Sequence, residues 1–152
     1  MRSTTSITVA APPELVFRLA SDPLRWPALL PHYATARAVA RRDGVVVADF
    51  VARRPLLPLL GIGLPVAWRS RTWAEPEHLR IRFHHVAGAT RGMDVTWRIE
   101  GTERGCQVTI EHDFRPRLRA WAVLVDRLFT QPIAGRTLLG FKTMAEALAR
   151  DA

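Results

Sequence analysis

The sequence predicts an α+β fold: an antiparallel sheet of about seven strands, two short helices after the first strand, and a long C-terminal helix. Two observations carry this prediction. From Leu79 to Phe114 apolar and polar residues alternate, interrupted only by turn-forming clusters. After Pro116 the apolar spacing becomes helical and stays so to the C-terminus. A sheet with one apolar and one charged face needs a cover, and the helical segment can supply it.

At the N-terminus, Ile7 and Val9 alternate with Thr8 and Ala10 as a short strand. Pro12 and Pro13 open a helix, where a missing N–H costs least, and Glu14 sets a carboxylate against the positive helix end. Leu15, Val16 and Leu19 give that helix an apolar side. Asp22-Pro23 stops it, because the residue before proline is driven out of the helical region. Residues 26–33, WPALLPHY, read as a second short helix or turn with an exposed aromatic at each end, Trp26 and Tyr33. Strands over 34–41 and 45–52 pair around Arg42-Asp43-Gly44, since Asp-Gly between β-rich runs signals a hairpin. Residues 53–65 break the pattern. Strands resume over 66–74, 79–86, 92–100 and 106–114, separated by turn clusters.

The late strands have clear faces. Leu79, Ile81, Phe83 and His85 share one side, as do Met93, Val95, Trp97 and Ile99. Cys106, Val108, Ile110, His112 and Phe114 do the same, and the opposite faces carry Arg80, Arg82, Asp94, Arg98 and Glu111. Ile133, Thr137, Phe141, Met144, Ala145 and Leu148 recur at helical spacing and form the covering stripe. Pro132 suits the start of that helix better than its middle.

Composition narrows the class. A chain of 152 residues, 48% hydrophobic, is expected to be one globular domain over 1–152. Met1 to Thr5 lead into no apolar run, and no stretch reaches the length of a membrane span, so a cytoplasmic protein is expected. The single Cys106 excludes an intrachain disulfide and reads as an apolar filler. The net charge of +8 comes almost wholly from arginine, Lys142 being the one lysine. It fits arginines solvating the outer sheet face, or an anionic membrane surface or acidic partner. The arginines are scattered through strands and no nucleic-acid motif appears, so nucleic acid is not expected.

The order strand, then APPELVFRLASDPLRWPALLPHY over residues 11–33, resembles the opening of the START-like (helix-grip) superfamily. Within it, the polyketide cyclase/dehydrase and coenzyme Q-binding families are the similar ones. The resemblance implies a curved sheet wrapped around the long helix, with an internal cavity for a hydrophobic ligand. Trp68, Phe83, Met93, Trp97, Val108, Ile110 and Phe141 would line the space between sheet and helix. Composition alone allows an ordinary filled core there.

Polar residues on the same faces are the candidates for chemistry. Trp68-Arg69-Ser70-Arg71-Thr72 is similar to a Trp-x-Ser-x-Arg run of the aromatase/cyclases, whose final arginine faces the pocket. Here that position is Thr72. Arg71 stands one place earlier and points outward unless a bulge turns it in. Trp26 and Tyr33 match aromatic positions of those enzymes, and the Tyr33 hydroxyl could serve a substrate carbonyl. His85 and His112 fall on inward faces, as buried neutral imidazoles or as an acid or base. An enzyme would therefore use Tyr33, Arg71 and His112, with Trp26, Ser70, Thr72 and His85 among the ligand contacts. His84-His85 is no metal motif, since adjacent strand residues face opposite ways, and no metal is expected. No glycine-rich phosphate loop is present, so no nucleotide cofactor is expected.

Two greasy segments complete the reading. Leu56, Leu57, Leu59, Leu60 and Ile62 lie in a proline- and glycine-punctuated stretch after Arg53-Arg54. They suit a lid, a membrane contact, an interface or a loop folded onto its own core. In 117–129, Leu118, Trp121, Val125, Leu128 and Phe129 form a face bordered by Arg117, Arg119 and Arg127, as an interfacial helix or a second cover. Binding of a lipid, quinone or polyketide-like molecule as a carrier leads. A polyketide cyclase/dehydrase-like enzyme is the alternative, and an interaction module with a vestigial cavity is the third.

Overall fold

β1 (Arg2–Val9) is longer than its two apolar residues suggest, because it pairs along its whole length with β7 (Gly105–Asp113), from Arg2 opposite Asp113 to Val9 opposite Cys106. A computed structural model describes residues 1–57 and 62–151, with the backbone alone given at 55–57 and 62. α1 (Pro13–Ala20) starts at the proline pair and buries Val16 and Ala20. A 3₁₀ turn (Pro23–Arg25) leads into α2 (Trp26–Leu29). Trp26 and Tyr33 are buried, contrary to the exposed aromatics expected there. The Trp26 indole N–H donates to the Ala20 carbonyl at 3.1 Å, so its polar edge is satisfied inside.

The remaining strands are β2 (Tyr33–Arg42), β3 (Val45–Leu57), β4 (Ile62–Glu75), β5 (Arg80–Gly88) and β6 (Asp94–Thr102). They form one curved antiparallel sheet in the order β1-β7-β6-β5-β4-β3-β2. The β2–β3 turn takes positive φ at Asp43 and Gly44, as its sequence predicts. The break expected over 53–65 is instead an extension of the β3–β4 hairpin, with Arg53 opposite Pro65 and Leu57 opposite Ile62. Pro55 stays in register opposite Gly63, and a register shift follows it, between Pro55 and Leu57. Leu59 and Leu60 lie outside the described residues, as do the side chains of Leu56, Leu57 and Ile62.

β5 carries one extra residue, Val86, against β4: Ser70 pairs with His85, and Arg69 with Ala87. Gly88 closes this bulge at φ +99°, where an added Cβ would stand 2.6 Å from the Ala67 carbonyl oxygen. Gly88→Ala is therefore expected to cost about 2 kcal/mol, read from the urea midpoint of unfolding.

The C-terminal helix is a single 32-residue run rather than two segments. α3 (Arg119–Val125) passes through a π turn (Asp126–Thr130) directly into α4 (Gln131–Arg150). The π turn explains how Pro132 sits inside a helix. In a regular α-helix its ring would strike the Leu128 carbonyl and its missing N–H would break the ladder. Here the chain widens just before it, with the Gln131 N–H bonding to the Asp126 carbonyl. α4 packs on the sheet and buries Ala134, Thr137, Leu138, Phe141 and Ala145, whereas Leu148, expected in the covering stripe, is exposed. No helix among the described residues is long and apolar enough to cross a membrane.

Candidate ligand cavity

Between the sheet and the first turns of α4 lies a cavity of ≈ 80 Å³. Its walls are built largely from aromatic rings. Phe50, Trp68 and His85 form a laminate, with centroid spacings of 5.5 and 5.6 Å and planes within 17° and 14° of parallel. This stack follows from register: Phe50 of β3 sits opposite Trp68 of β4, and the bulge at Val86 carries His85 beside it. Trp26 meets Tyr33 edge-on at 5.1 Å and leans on Phe83 and Trp97. Val66, Met93, Val95, Ile110, Phe129, Ile133 and Ala134 complete the apolar lining.

The polar residues of the lining are Tyr33, His85, Thr90, His112, Thr130 and Thr137. His85 Nδ1 and Thr90 Oγ1 are 2.6 Å apart. The Thr137 hydroxyl donates to the Ile133 carbonyl at 2.8 Å and also meets His32 Nε2 at 2.8 Å. Thr130 donates to the Val125 carbonyl across the π turn. His112 differs: its Nδ1 is fully enclosed and has no partner among the described residues. Nearby Asp126 is also buried, and it accepts from Ser3 Oγ and Gln131 Nε2, both at 2.7 Å.

Burial sets the protonation states. It lowers His85 to about 3, helped by His112 and His84, and lowers His112 to about 4 against the attraction of Asp126. His32 falls to about 4 through burial and then Arg136. Burial pushes the Tyr33 phenol above its ordinary range. At neutral pH both cavity histidines are uncharged and Tyr33 holds its proton. No Asp, Glu, Lys or Arg lines the cavity among the described residues.

The sequence-predicted residues divide clearly. Trp26, Tyr33, Trp68, Phe83, His85, Met93, Trp97, Ile110 and His112 converge on the cavity. Ser70 and Thr72 are buried in β4 but lie outside its lining, and Ser70 donates to the Arg71 and His84 carbonyls. Val108 and Phe141 are core residues, Phe141 packing edge-on to Trp97 at 5.9 Å. Arg71 is exposed on the other face of the sheet, because the bulge lies on β5 and leaves the alternation of β4 intact. Trp121 is 38% exposed and donates to the Ala89 carbonyl. Phe50, Thr90, Phe129 and Thr130 also line the cavity, beyond the residues that the sequence pattern singles out. Phe50 was within reach of the period-two pattern, whereas Thr90 and Thr130 arrive through a turn and a π turn. Among the described residues no group of His, Cys, Asp and Glu could hold a metal ion.

A curved antiparallel sheet gripping one long helix around an aromatic cavity defines the START-like class. The chain belongs to the family described as polyketide cyclase / dehydrase and lipid transport, whose model matches residues 1–151. It is 31% identical over 109 residues to a Streptomyces cyaneus protein named "Putative polyketide cyclase", covering 71% of this chain and 68% of the other. A Streptomyces halstedii protein of the same name is 33% identical over 100 residues, 65% of this chain and 87% of the other. Among solved structures, the Zhui aromatase/cyclase from Streptomyces sp. R1128 superposes with a TM-score of 0.77 at 18% identity, covering 96% of this chain and 93% of that one. A START superfamily protein from Mycobacterium smegmatis gives 0.72 at 14% identity, over 97% and 98%. At these identities the two structures share the fold.

Proposed function

We propose that this protein binds a hydrophobic small molecule, with an aromatic or quinone-like ring and at least one oxygen function, between its sheet and its long helix, and carries it unchanged. The observation that supports this most is the composition of the cavity wall: stacked and edge-on aromatic rings with no charged side chain among the described residues. Such a wall favours a flat apolar ligand, and a few polar atoms fix its orientation. At ≈ 80 Å³ the cavity is smaller than the roughly 150 Å³ space that admits benzene in an engineered core. The ligand therefore enters by displacing part of the lining. Met93, with three rotatable bonds, and half-buried Phe129 and Ile133 are the side chains best able to yield.

A cyclase or dehydrase reading is supported by Tyr33 and His112 lining one cavity, and by the names of the relatives. Against it stand the outward Arg71 and the two cavity histidines, which burial lowers well below neutrality. A general acid or base works best with a pKa near the operating pH.

The test is non-denaturing mass spectrometry of the protein from its native host, followed by extraction and identification of the bound molecule. The carrier reading expects a ring-bearing molecule recovered unchanged, and loss of that mass in Ala134→Leu, whose larger side chain occupies the cavity. Ala134→Leu should also weaken uptake of the neutral fluorophore N-phenyl-1-naphthylamine at least tenfold, since the cavity cannot hold both. Conversion of the recovered molecule to a cyclised or dehydrated product on incubation would establish the enzyme instead. Equal fluorophore uptake by both proteins would remove the cavity as the site.

A further inference from the structure

The outward face of α3 is apolar where a solvated helix would be polar. Ala122, Val125 and Asp126 face inward, leaving Val123 and Leu124 nearly half exposed and Trp121 and Leu128 beside them. Leu118, just before the helix, is 72% exposed. An amphipathic helix normally turns such residues toward a core. This one has apolar residues on both sides.

The charges around that face are of one sign. Arg115, Arg117, Arg119 and Arg127 belong to the same segment, and Arg91 stands in the β5–β6 turn two residues from the carbonyl that holds Trp121. All five are exposed, and among the described residues only Arg115 forms an ion pair, with Asp113. From Phe114 to Gly135 the one acidic residue is Asp126, which is buried.

The geometry points to docking of α3 onto an anionic lipid bilayer, with Leu118, Trp121, Val123, Leu124 and Leu128 entering the interface and the arginines contacting phosphate headgroups. An apolar face rimmed by arginine is the arrangement that lies in a headgroup layer. A second copy is a poorer occupant, because twofold contact would bring the same arginines together on a chain of net charge +8. The position also suits exchange. Phe129 and Thr130, in the turn after α3, line the cavity, as does Thr90 beside Trp121's partner Ala89. A docked α3 therefore brings the helix-side wall of the cavity to the bilayer. This inference stands apart from the identity of the ligand.

Co-sedimentation with vesicles tests it, comparing pure phosphatidylcholine with phosphatidylcholine containing phosphatidylglycerol. The protein is expected to sediment with the anionic vesicles, to be released by high salt, and to ignore the neutral ones. Arg119→Gln with Arg127→Gln should weaken binding roughly 25-fold, about fivefold per charge. Val123→Glu with Leu124→Glu, at positions that touch no core, should abolish it. N-phenyl-1-naphthylamine uptake by these variants should match wild type, so failure of docking and failure of the cavity reading are distinguished. Equal sedimentation with both vesicle types, or variants that bind like wild type, would overturn the inference. So would a concentration-dependent dimer in sedimentation equilibrium that Leu124→Glu dissolves, which would assign the face to a second copy.

Discussion

Between pH 7 and pH 5 the unfolding free energy is expected to fall by about 4 kcal/mol through His85 and His112 alone, about 2 kcal/mol each. Both imidazoles are held well below their ordinary 6.5 by burial, to about 3 and about 4. The unfolded chain takes up these protons as the pH drops through 6.5, whereas the folded chain refuses them until far lower. The unfolded state thus binds more protons throughout this window, and stability rises with pH. Their contribution is complete above 6.5, declines below it, and levels off only near the folded values. The figure at pH 5 requires only that both folded values lie well below 5. His32, lowered to about 4, acts in the same direction. The carboxylates act elsewhere. Asp113 is held low by Arg115 and then Arg2, and Glu146 by the Ala10 N–H and Lys142, so their contributions are lost only below their ordinary 3.8 and 4.5. A domain's net stability is of order 5–15 kcal/mol, so a loss of this size brings the protein close to unfolding at mildly acidic pH. Urea titrations at half-unit steps from pH 7.5 to 5 measure the slope. A flat profile would mean that these histidines are solvated in the folded protein.

What was legible in the sequence was whatever one strand or helix face records by itself. The alternation in β5, β6 and β7 identified the inward residues, and Phe83, His85, Met93, Trp97, Ile110 and His112 all reach the cavity. The same alternation placed Arg71 outside, which an analogy with the arginine of related enzymes would have hidden. Features that depend on two segments meeting were not legible. The β3–β4 hairpin extends through Pro55 and Pro65, and only the pairing of the two strands reveals it. The helix continues through Pro132 because a π turn widens it, and that turn also delivers Thr130 to the cavity and Asp126 to the neighbourhood of His112. Trp26 looked exposed because nothing local announces that the Ala20 carbonyl will accept its N–H.

His112→Leu is expected to stabilise the unliganded protein while damaging its binding. Among the described residues the enclosed Nδ1 has no partner, and a buried polar atom in that state costs about 1–3 kcal/mol. Leucine removes the atom and fills similar space, so the Tm should rise by roughly 3–8 °C for a chain of this size. One proton also leaves the acid titration, so the slope of stability with pH should flatten between pH 6.5 and 5. The opposite effect is expected in binding. If His112 is retained to hold an oxygen function of the ligand, phenol should bind the variant roughly 10- to 100-fold more weakly, because its hydroxyl would be buried without a partner. Benzene, which asks nothing of the imidazole, should bind at least as well as to wild type. Calorimetric melting and NMR titration with the two ligands measure both effects on one pair of proteins. A lower Tm would mean that Nδ1 is satisfied in solution. Equal losses for phenol and benzene would reduce His112 to a shape contact. A rise in Tm with a selective loss of phenol would identify His112 as a group whose hydrogen-bonding capacity is kept at the expense of stability, as expected of a residue that faces a ligand rather than the core.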